Sequence, residues 1–548
     1  LFLTVIWLGF GQTGARAMEY DYVIVGGGSA GCVMANRLSA DPSVSVCLLE
    51  AGGGGKSLVI RAPALTAAMI SGRPPINNWA LKTEPQPELN NRRGFQPRGK
   101  ALGGSSAINA MLYVRGHRKD YDEWADLGCE GWNWDEVLPY FKKSEGNTWG
   151  ASDLHGSDGP LQVGDQSEPR EITSAFFAAA ESLQIRRNDD FNGDRQEGVG
   201  PYQVTQFYDG PHKGERCSAA AAYVFPVADR ANLTIITKAA ARRVVLEQGR
   251  AIGVEYERKG VQVARAKREV ILSGGAFGSP HLLMLSGIGP ADELRAHGIE
   301  VVHELPGVGQ NLQDHLDYIV SYHSKRSDVV GLNPAGLARL IKAGLKWRKD
   351  GTGLFATPFA EGAGFLRTDP KLDRPDIQLH FVPAIVDDHL RKIHLKDGCS
   401  CHVCVLRPKS IGRVGLKDSN PKTAPLIDPR YLSDPADLHV LKAGARIAEQ
   451  IMEGAPLDPW RGKRLYDYGG SDAGLEADIR ARSDTIYHPV GTCKMGIDTM
   501  AVVDRECRVH GVEALRVVDA SVMPRLVGGN TNAPTVMISE KIADGMVA

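Results

Sequence analysis

The sequence opens on an apolar run, LFLTVIWLGF, of ten residues. That is about half of the ~20 a helix needs to cross a bilayer. Lysine and arginine (64) nearly cancel aspartate and glutamate (65), leaving a formal net charge of −1. No global field therefore draws in nucleic acid or an anionic membrane. Nine cysteines are an odd number scattered along a long chain, which argues against a disulfide scaffold. The densest group, CSCHVC at 399–404, lacks a second pair at zinc-site distance. Cys399 and Cys401 alternate as on a strand, so a plain strand and no metal site are expected there. Internal repeats and low-complexity tracts are missing too.

What is present is a large globular chain, 548 residues long, with 62 glycines. That glycine share exceeds the ordinary ~7%. Many glycines sit in tight clusters beside apolar runs, where backbone must approach something closely. From Tyr20 the sequence reads as strand (Tyr22–Val25), glycine turn, helix (Ala30–Leu38) and strand (Val44–Leu49), a β–α–β unit. Further strands are predicted at 233–239 and 251–256, flanking a charged hairpin, at 269–275, and at 515–521. Residues 145–225 and 318–480 are rich in proline, aspartate and polar turns and lack this rhythm. The expected fold class is α/β (α+β overall). A Rossmann-type nucleotide-binding domain is expected from 18–150, 226–317 and 490–548, with a second, substrate-binding domain from 151–225 and 318–489. The first 17 residues imitate a secretory signal but lack an initial Met and a basic start. Met18 is the expected native start, with a true signal as the alternative.

Gly26, Gly28 and Gly31 form G-x-G-x-x-G between strand and helix, and Glu50 follows Gly31 by 19 residues at the end of the next strand. The first glycine permits the turn, the second admits a pyrophosphate, and the third lets helix and strand pack. The carboxylate suits ribose hydroxyls. Ser29, Ala30 and Ala51 are counted with this set. A second glycine cluster, PRGKALGGSSAIN (97–109), and Asp519 at a late strand end suggest a cofactor longer than NAD, namely FAD.

GKALGGSSAINAMLYVRGHRKDYD (99–122), GAFGSPHLLMLSGIG (275–289), GVGQNLQDHL (307–316) and NTNAPTVMISEKIAD (530–544) together give the chain a resemblance to the glucose–methanol–choline (GMC) flavoprotein oxidoreductases over residues 19–545. Within that family it is similar to bacterial membrane-associated medium-chain alcohol dehydrogenases and to choline dehydrogenases. The resemblance implies an FAD domain and a substrate domain with an antiparallel sheet flanked by helices. It also implies cofactor contacts from Leu102, Gly103, Ser105, Asn109, Ala110, Ala241, Asp519, Ala520, Asn530 and Thr531. Some members attach FAD through a histidine before the Gly-Gly-Ser-Ser turn. Residues 90–109 contain none, so noncovalent FAD is expected.

The resemblance matches His488 to the family's active-site histidine and Asn532 to its partner. The chemistry agrees: a neutral imidazole suits removal of the alcohol proton as hydride leaves for flavin N5. A neutral amide can bond the same oxygen. Pro489 biases His488 to extended backbone, and Cys493 reads as a packing residue. His281, His315 and His510 read as structural. Glu361 is a weaker candidate for a cationic substrate head. The expected activity is oxidation of primary alcohols to aldehydes, with electrons passing to a quinone or other non-O2 acceptor. The alternatives are an H2O2-producing oxidase, a choline dehydrogenase and a hydroxynitrile lyase. Residues 336–351 form a basic amphipathic helix, read either as a peripheral membrane contact or as a solvated cover. The expected location is cytoplasmic, peripheral on the inner face of the cell membrane if the helix binds there, or periplasmic if residues 1–17 are a signal.

Overall fold

The computed structural model describes residues 18–547, so the signal-like segment 1–17 lies outside the described residues. The apolar strand Met18–Val25 lies parallel to Val46–Glu50 on one side and to Val261–Leu272 on the other. Leu233–Thr237 extends the parallel set beyond Val46–Glu50, and Leu515–Val517 pairs with the end of Val261–Leu272. Tyr22–Val25, Val46–Glu50 and Val270–Leu272 are buried on both faces, which is why they read as continuous apolar runs.

The expected hairpin between 233–239 and 251–256 takes another form. An intervening strand, Ala240–Glu247, pairs antiparallel with Arg250–Glu257, while Leu233–Thr237 sits at the opposite edge of the sheet. The predicted strand at 269–275 is the last part of a longer one. Its first half (VQVARAKR) mixes polar and charged residues with small apolar ones and pairs antiparallel with Arg250–Glu257, and its apolar end enters the core.

A second seven-stranded sheet draws on Gly198–Pro201, Leu316–Ser324, Gly362–Leu366, Ile377–Val382, Gly398–Val405, Arg461–Arg464 and Asp484–Thr485. All its pairings are antiparallel. Alternation sorts its two faces. Ile377, Leu379 and Phe381 join Cys399, Cys401 and Val403 in a core under the helix Pro435–Met452. Gln378, His380 and His402 alternate with them and take the other face, which also carries Val382 and Cys404. The chain is therefore mixed α/β, with one largely parallel and one antiparallel sheet.

Candidate active site

The carboxyl ends of Met18–Val25, Val46–Glu50 and Leu515–Val517 deliver the predicted cofactor residues Gly26, Glu50 and Asp519, where open α/β sheets place their ligands. Val25 runs into Gly26, whose φ is +101°, and a side chain there would strike the backbone of Ser273. At Gly31 a Cβ would strike the Gly26 carbonyl. At Gly28 a Cβ would meet nothing nearer than 3.9 Å, so this glycine alone faces open space. Two glycines serve packing and one leaves room, a division that fits a bound pyrophosphate. Glu50 is buried, and its Oε2 accepts from the Gly27 N–H at 2.9 Å while Oε1 accepts from Gly52 at 2.6 Å. Ala239 N–H bonds the Glu50 carbonyl at 2.9 Å, which brings Ala241 to the same strand end.

The second glycine cluster lies directly on the first. Gly103 N–H donates to the Gly27 carbonyl at 2.7 Å, and Leu102 N–H to that of Gly53 at 2.9 Å. Gly104 (φ +51°) approaches Gly28 so closely that a Cβ would meet its Cα at 2.6 Å. Asn109 is held by the buried Arg216, whose Nη1 donates to both its backbone and side-chain oxygens at 2.7 Å. Ser105 Oγ accepts from Gly99 N–H at 3.2 Å. Asp519 is tied into protein: its oxygens accept from Gly275 N–H (2.8 Å), Ser279 Oγ (2.6 Å) and Ser521 N–H (2.8 Å). It therefore stitches the last parallel strand to the helix Gly275–Leu285.

The glycine-turn helix Ser29–Leu38 packs parallel to the final helix Asn532–Val547. Ser29 Oγ donates to Asn532 Oδ1 at 2.7 Å. Eight residues along each helix, Arg37 grips Glu540 with two bonds of 2.8 and 2.7 Å. The two N-termini thus open on the same side, with their partial positive ends together. Asn532, expected from the sequence to be the partner of His488, instead has its Oδ1 engaged in this clamp, and no hydrogen bond joins it to His488 among the described residues. Asn532 is the first residue of its helix. Asn530, two residues earlier and expected with the cofactor, lies against the histidine instead: its Nδ2 stands 3.2 Å from His488 Nε2.

His488 is buried between the two sheets' contributions. Its backbone N–H donates to Asp314 Oδ1 at 2.9 Å, while Asp314 Oδ2 accepts from Tyr431 OH at 2.5 Å and Thr485 Oγ1 at 2.6 Å. Tyr487 takes a left-handed backbone, φ +78°, which a bulky residue rarely adopts without support. Thr485 Oγ1 accepts the Tyr487 N–H at 2.7 Å, and Arg98 Nη2 donates to its carbonyl at 2.8 Å. Burial first, then the nearby His315, His380 and Arg98, hold the His488 imidazole neutral with its pKa well below the ordinary value. A neutral ring keeps a lone pair to accept a proton.

Around it stand residues the sequence reading passed over. Gln378 Nε2 donates to Asn530 Oδ1 at 3.0 Å and to Tyr202 OH at 2.8 Å, and His380 Nδ1 lies 2.8 Å from the same hydroxyl. His380 Nε2 and Gln378 Oε1 are buried without a protein partner, as groups that face a ligand can be. His315, read as structural, has its Nδ1 2.9 Å from His488 Nδ1. The period-two pattern of Ile377–Val382 was the signal that Gln378 and His380 share a face. His315 was signalled by lying in GVGQNLQDHL. Cys493 is fully buried with its thiol pushed well up by burial.

Glu361 is buried but occupied. Arg170 pairs with it through Nη1 and through its backbone N–H (2.9 Å), and Thr173 Oγ1 donates at 2.5 Å. The helix Pro334–Asp350 lies on the surface with only Gly336 buried. Leu340 and Trp347 turn inward, Trp347 Nε1 donating to the Gly214 carbonyl at 2.8 Å. Leu337, Ile341 and Leu345 face out, 55%, 60% and 67% exposed. No helix among the described residues is long and apolar enough to cross a membrane.

Comparison with known proteins agrees with this geometry. The family models for GMC oxidoreductases match residues 20–317 and 408–539. An alcohol dehydrogenase [acceptor] of Pseudomonas putida is 49% identical over 539 residues, covering 96% of both chains. The mitochondrial choline dehydrogenase of Homo sapiens is 44% identical over 553 residues, 97% of this chain and 92% of that one. Among solved structures, the formate oxidase of Aspergillus oryzae RIB40, studied for its FAD modification, superposes with a TM-score of 0.88 at 27% identity. That match covers 97% of this chain and 98% of the other.

Proposed function

The chain belongs to the GMC oxidoreductase family, and from that premise we propose that it oxidises neutral primary alcohols to aldehydes with His488 as base, passing the electrons to a quinone or another acceptor than O2. It is an enzyme acting on alcohols, and its cofactor is FAD. FAD when bound supplies the two-electron acceptor that takes hydride from the alcohol carbon. The residues placed to hold it are the open Gly28 turn, Glu50, the 102–110 segment and the paired helix N-termini. With no histidine at 90–109, attachment is noncovalent. We assign the cofactor domain to 18–150, 226–317 and 490–548 and the substrate side to 151–225 and 318–489.

The observation that carries the reading is the short connection between base and cradle. His488 touches Asn530, and two residues on Asn532 touches Ser29 at the cofactor turn. Nε2 of a neutral, buried His488 accepts the hydroxyl proton as hydride leaves. Asn530 Nδ2 is a donor at the same point, so it holds the alcohol oxygen without competing for the proton. Burial keeps water out and the geometry fixed.

The occupied state of Glu361 favours neutral alcohols over choline. Its carboxylate already balances Arg170 and has no charge to spare for a cationic head. A choline dehydrogenase activity is the second reading, favoured by the 44% identical relatives. A panel of alcohols mixed anaerobically with the holoenzyme decides between them through flavin absorbance. Aliphatic primary alcohols should bleach the flavin and choline should not. Bleaching by choline alone would reverse the choice, and no bleaching at all would leave a lyase. Reoxidation by a quinone analogue faster than by air is expected; the opposite order marks an oxidase.

A further inference from the structure

The hydrogen bonds around His488 run in one direction, and their starting point lies on the far side of a second imidazole. His315 is fully buried on the segment preceding the strand Leu316–Ser324, and its Nε2 lies 3.1 Å from the Leu406 carbonyl. A carbonyl only accepts, so His315 must carry its hydrogen on Nε2. In the neutral ring Nδ1 is then a bare acceptor, and it faces His488 Nδ1 at 2.9 Å with the rings nearly perpendicular, at 89°. Two bare nitrogens cannot share that contact, so His488 must carry its hydrogen on Nδ1. Its Nε2 is left bare, and there Asn530 Nδ2 donates at 3.2 Å, with Asn530 Oδ1 in turn satisfied by Gln378. Every donor in the series meets an acceptor, and reversing His488 would set donor against donor at Asn530.

We propose that His315 is a positioning residue for the alcohol oxidation: through its Nδ1 lone pair it locks His488 in the Nδ1–H tautomer and so presents Nε2 to the substrate hydroxyl. Burial pushes the His315 pKa down to about 3, so it accepts the hydrogen bond and does not take the proton. Among the described residues His315 is the only bonded partner of His488 Nδ1, so removing it frees the ring to adopt either tautomer.

The proposal rests on His488 being the base, yet the tautomer is measurable independently. In holoenzyme labelled with 15N-imidazole histidine, the His488 signals are those lost in His488→Gln. Nδ1 should appear protonated and Nε2 bare; the opposite pattern overturns the proposal. In His315→Leu, flavin reduction by an alcohol should slow by ~100-fold or more, in line with disturbing the tautomer of a catalytic histidine, while the substrate Kd changes little. His315→Asn places Oδ1 where Nδ1 stood and should recover most of the rate. Equal losses in both variants, or an unchanged rate in His315→Leu, would contradict the lock. If neither variant folds, the wild-type tautomer still decides. An Nδ1–H His488 in an enzyme whose His488→Gln variant reacts normally would keep the lock and remove the base.

Discussion

The two asparagines of NTNAP differ by two positions in sequence and by a whole role in space. Asn530 contributes an N–H to the reacting end of His488, whereas Asn532 holds the first turn of the cofactor helix through Ser29. Their substitutions should therefore separate. Asn530→Ala is expected to keep its FAD and lose ~10²-fold or more in the rate of flavin reduction, since it removes a placed donor. Asn532→Ala should weaken FAD retention and cost about 1 kcal/mol of stability for the lost bond, with a much smaller effect on rate in the molecules that keep flavin. Stopped-flow reduction beside FAD content and thermal unfolding reads both; equal behaviour of the two variants would contradict the assignment. Linear spacing cannot make this distinction, because both residues flank the start of one helix. The contact of His315 with His488 was hidden for a related reason, although GVGQNLQDHL marked the residue: it spans 173 positions of sequence.

At the scale of elements, the strand–turn–helix of the cofactor cradle was legible because glycine spacing encodes both the turn and the close packing. The antiparallel sheet was not legible from the residues alone, since its strands come from segments spread over residues 198–485 and are largely buried on both faces, so an alternation such as that of IQLHFV marks no exposed side. The helix Pro334–Asp350 was legible as amphipathic, but its orientation was not. Trp347 and Leu340 anchor it, so Leu337, Ile341 and Leu345 point outward beside Lys342, Arg348 and Lys349. Ile393 and Leu395, 68% and 66% exposed, lie on a neighbouring segment joined to this helix by Asp397, which pairs with Asn333 and Arg339. An outward apolar stripe edged by cations suits an anionic lipid surface. We expect the holoenzyme to sediment with vesicles containing anionic lipid and less with neutral ones. A Leu337→Ser, Ile341→Ser, Leu345→Ser triple variant should stay in solution while reducing its flavin normally. Undiminished sedimentation of that variant would show that the helix is only a cover.

Over the whole molecule, the segment that follows the second glycine cluster is fixed by a buried charge network. Arg115 pairs with Glu145 at 2.5 Å. His155 bridges Glu145 (Nδ1, 3.1 Å) and Asp190 (Nε2, 3.0 Å). Burial alone would lower the His155 pKa, but its bonds to Asp190 and Glu145 outweigh that and raise it to about 9. A histidine raised above its unfolded value stabilises fully below about pH 6.5, and that contribution is lost as pH climbs through about 9. Unfolding of wild type should therefore become easier between pH 6.5 and 9, and the stability gap to His155→Gln should narrow over the same interval. A gap that stays constant would mean the histidine is not charged in the fold.

The most direct test of the account is one turnover. Wild type and His488→Gln, each loaded with FAD, are mixed anaerobically with the same aliphatic primary alcohol, and the fall in flavin absorbance is timed. The account predicts equal FAD content and a loss of ~10²- to ~10⁴-fold in rate when the base is removed. Reduction of the variant within a few-fold of wild type would contradict it.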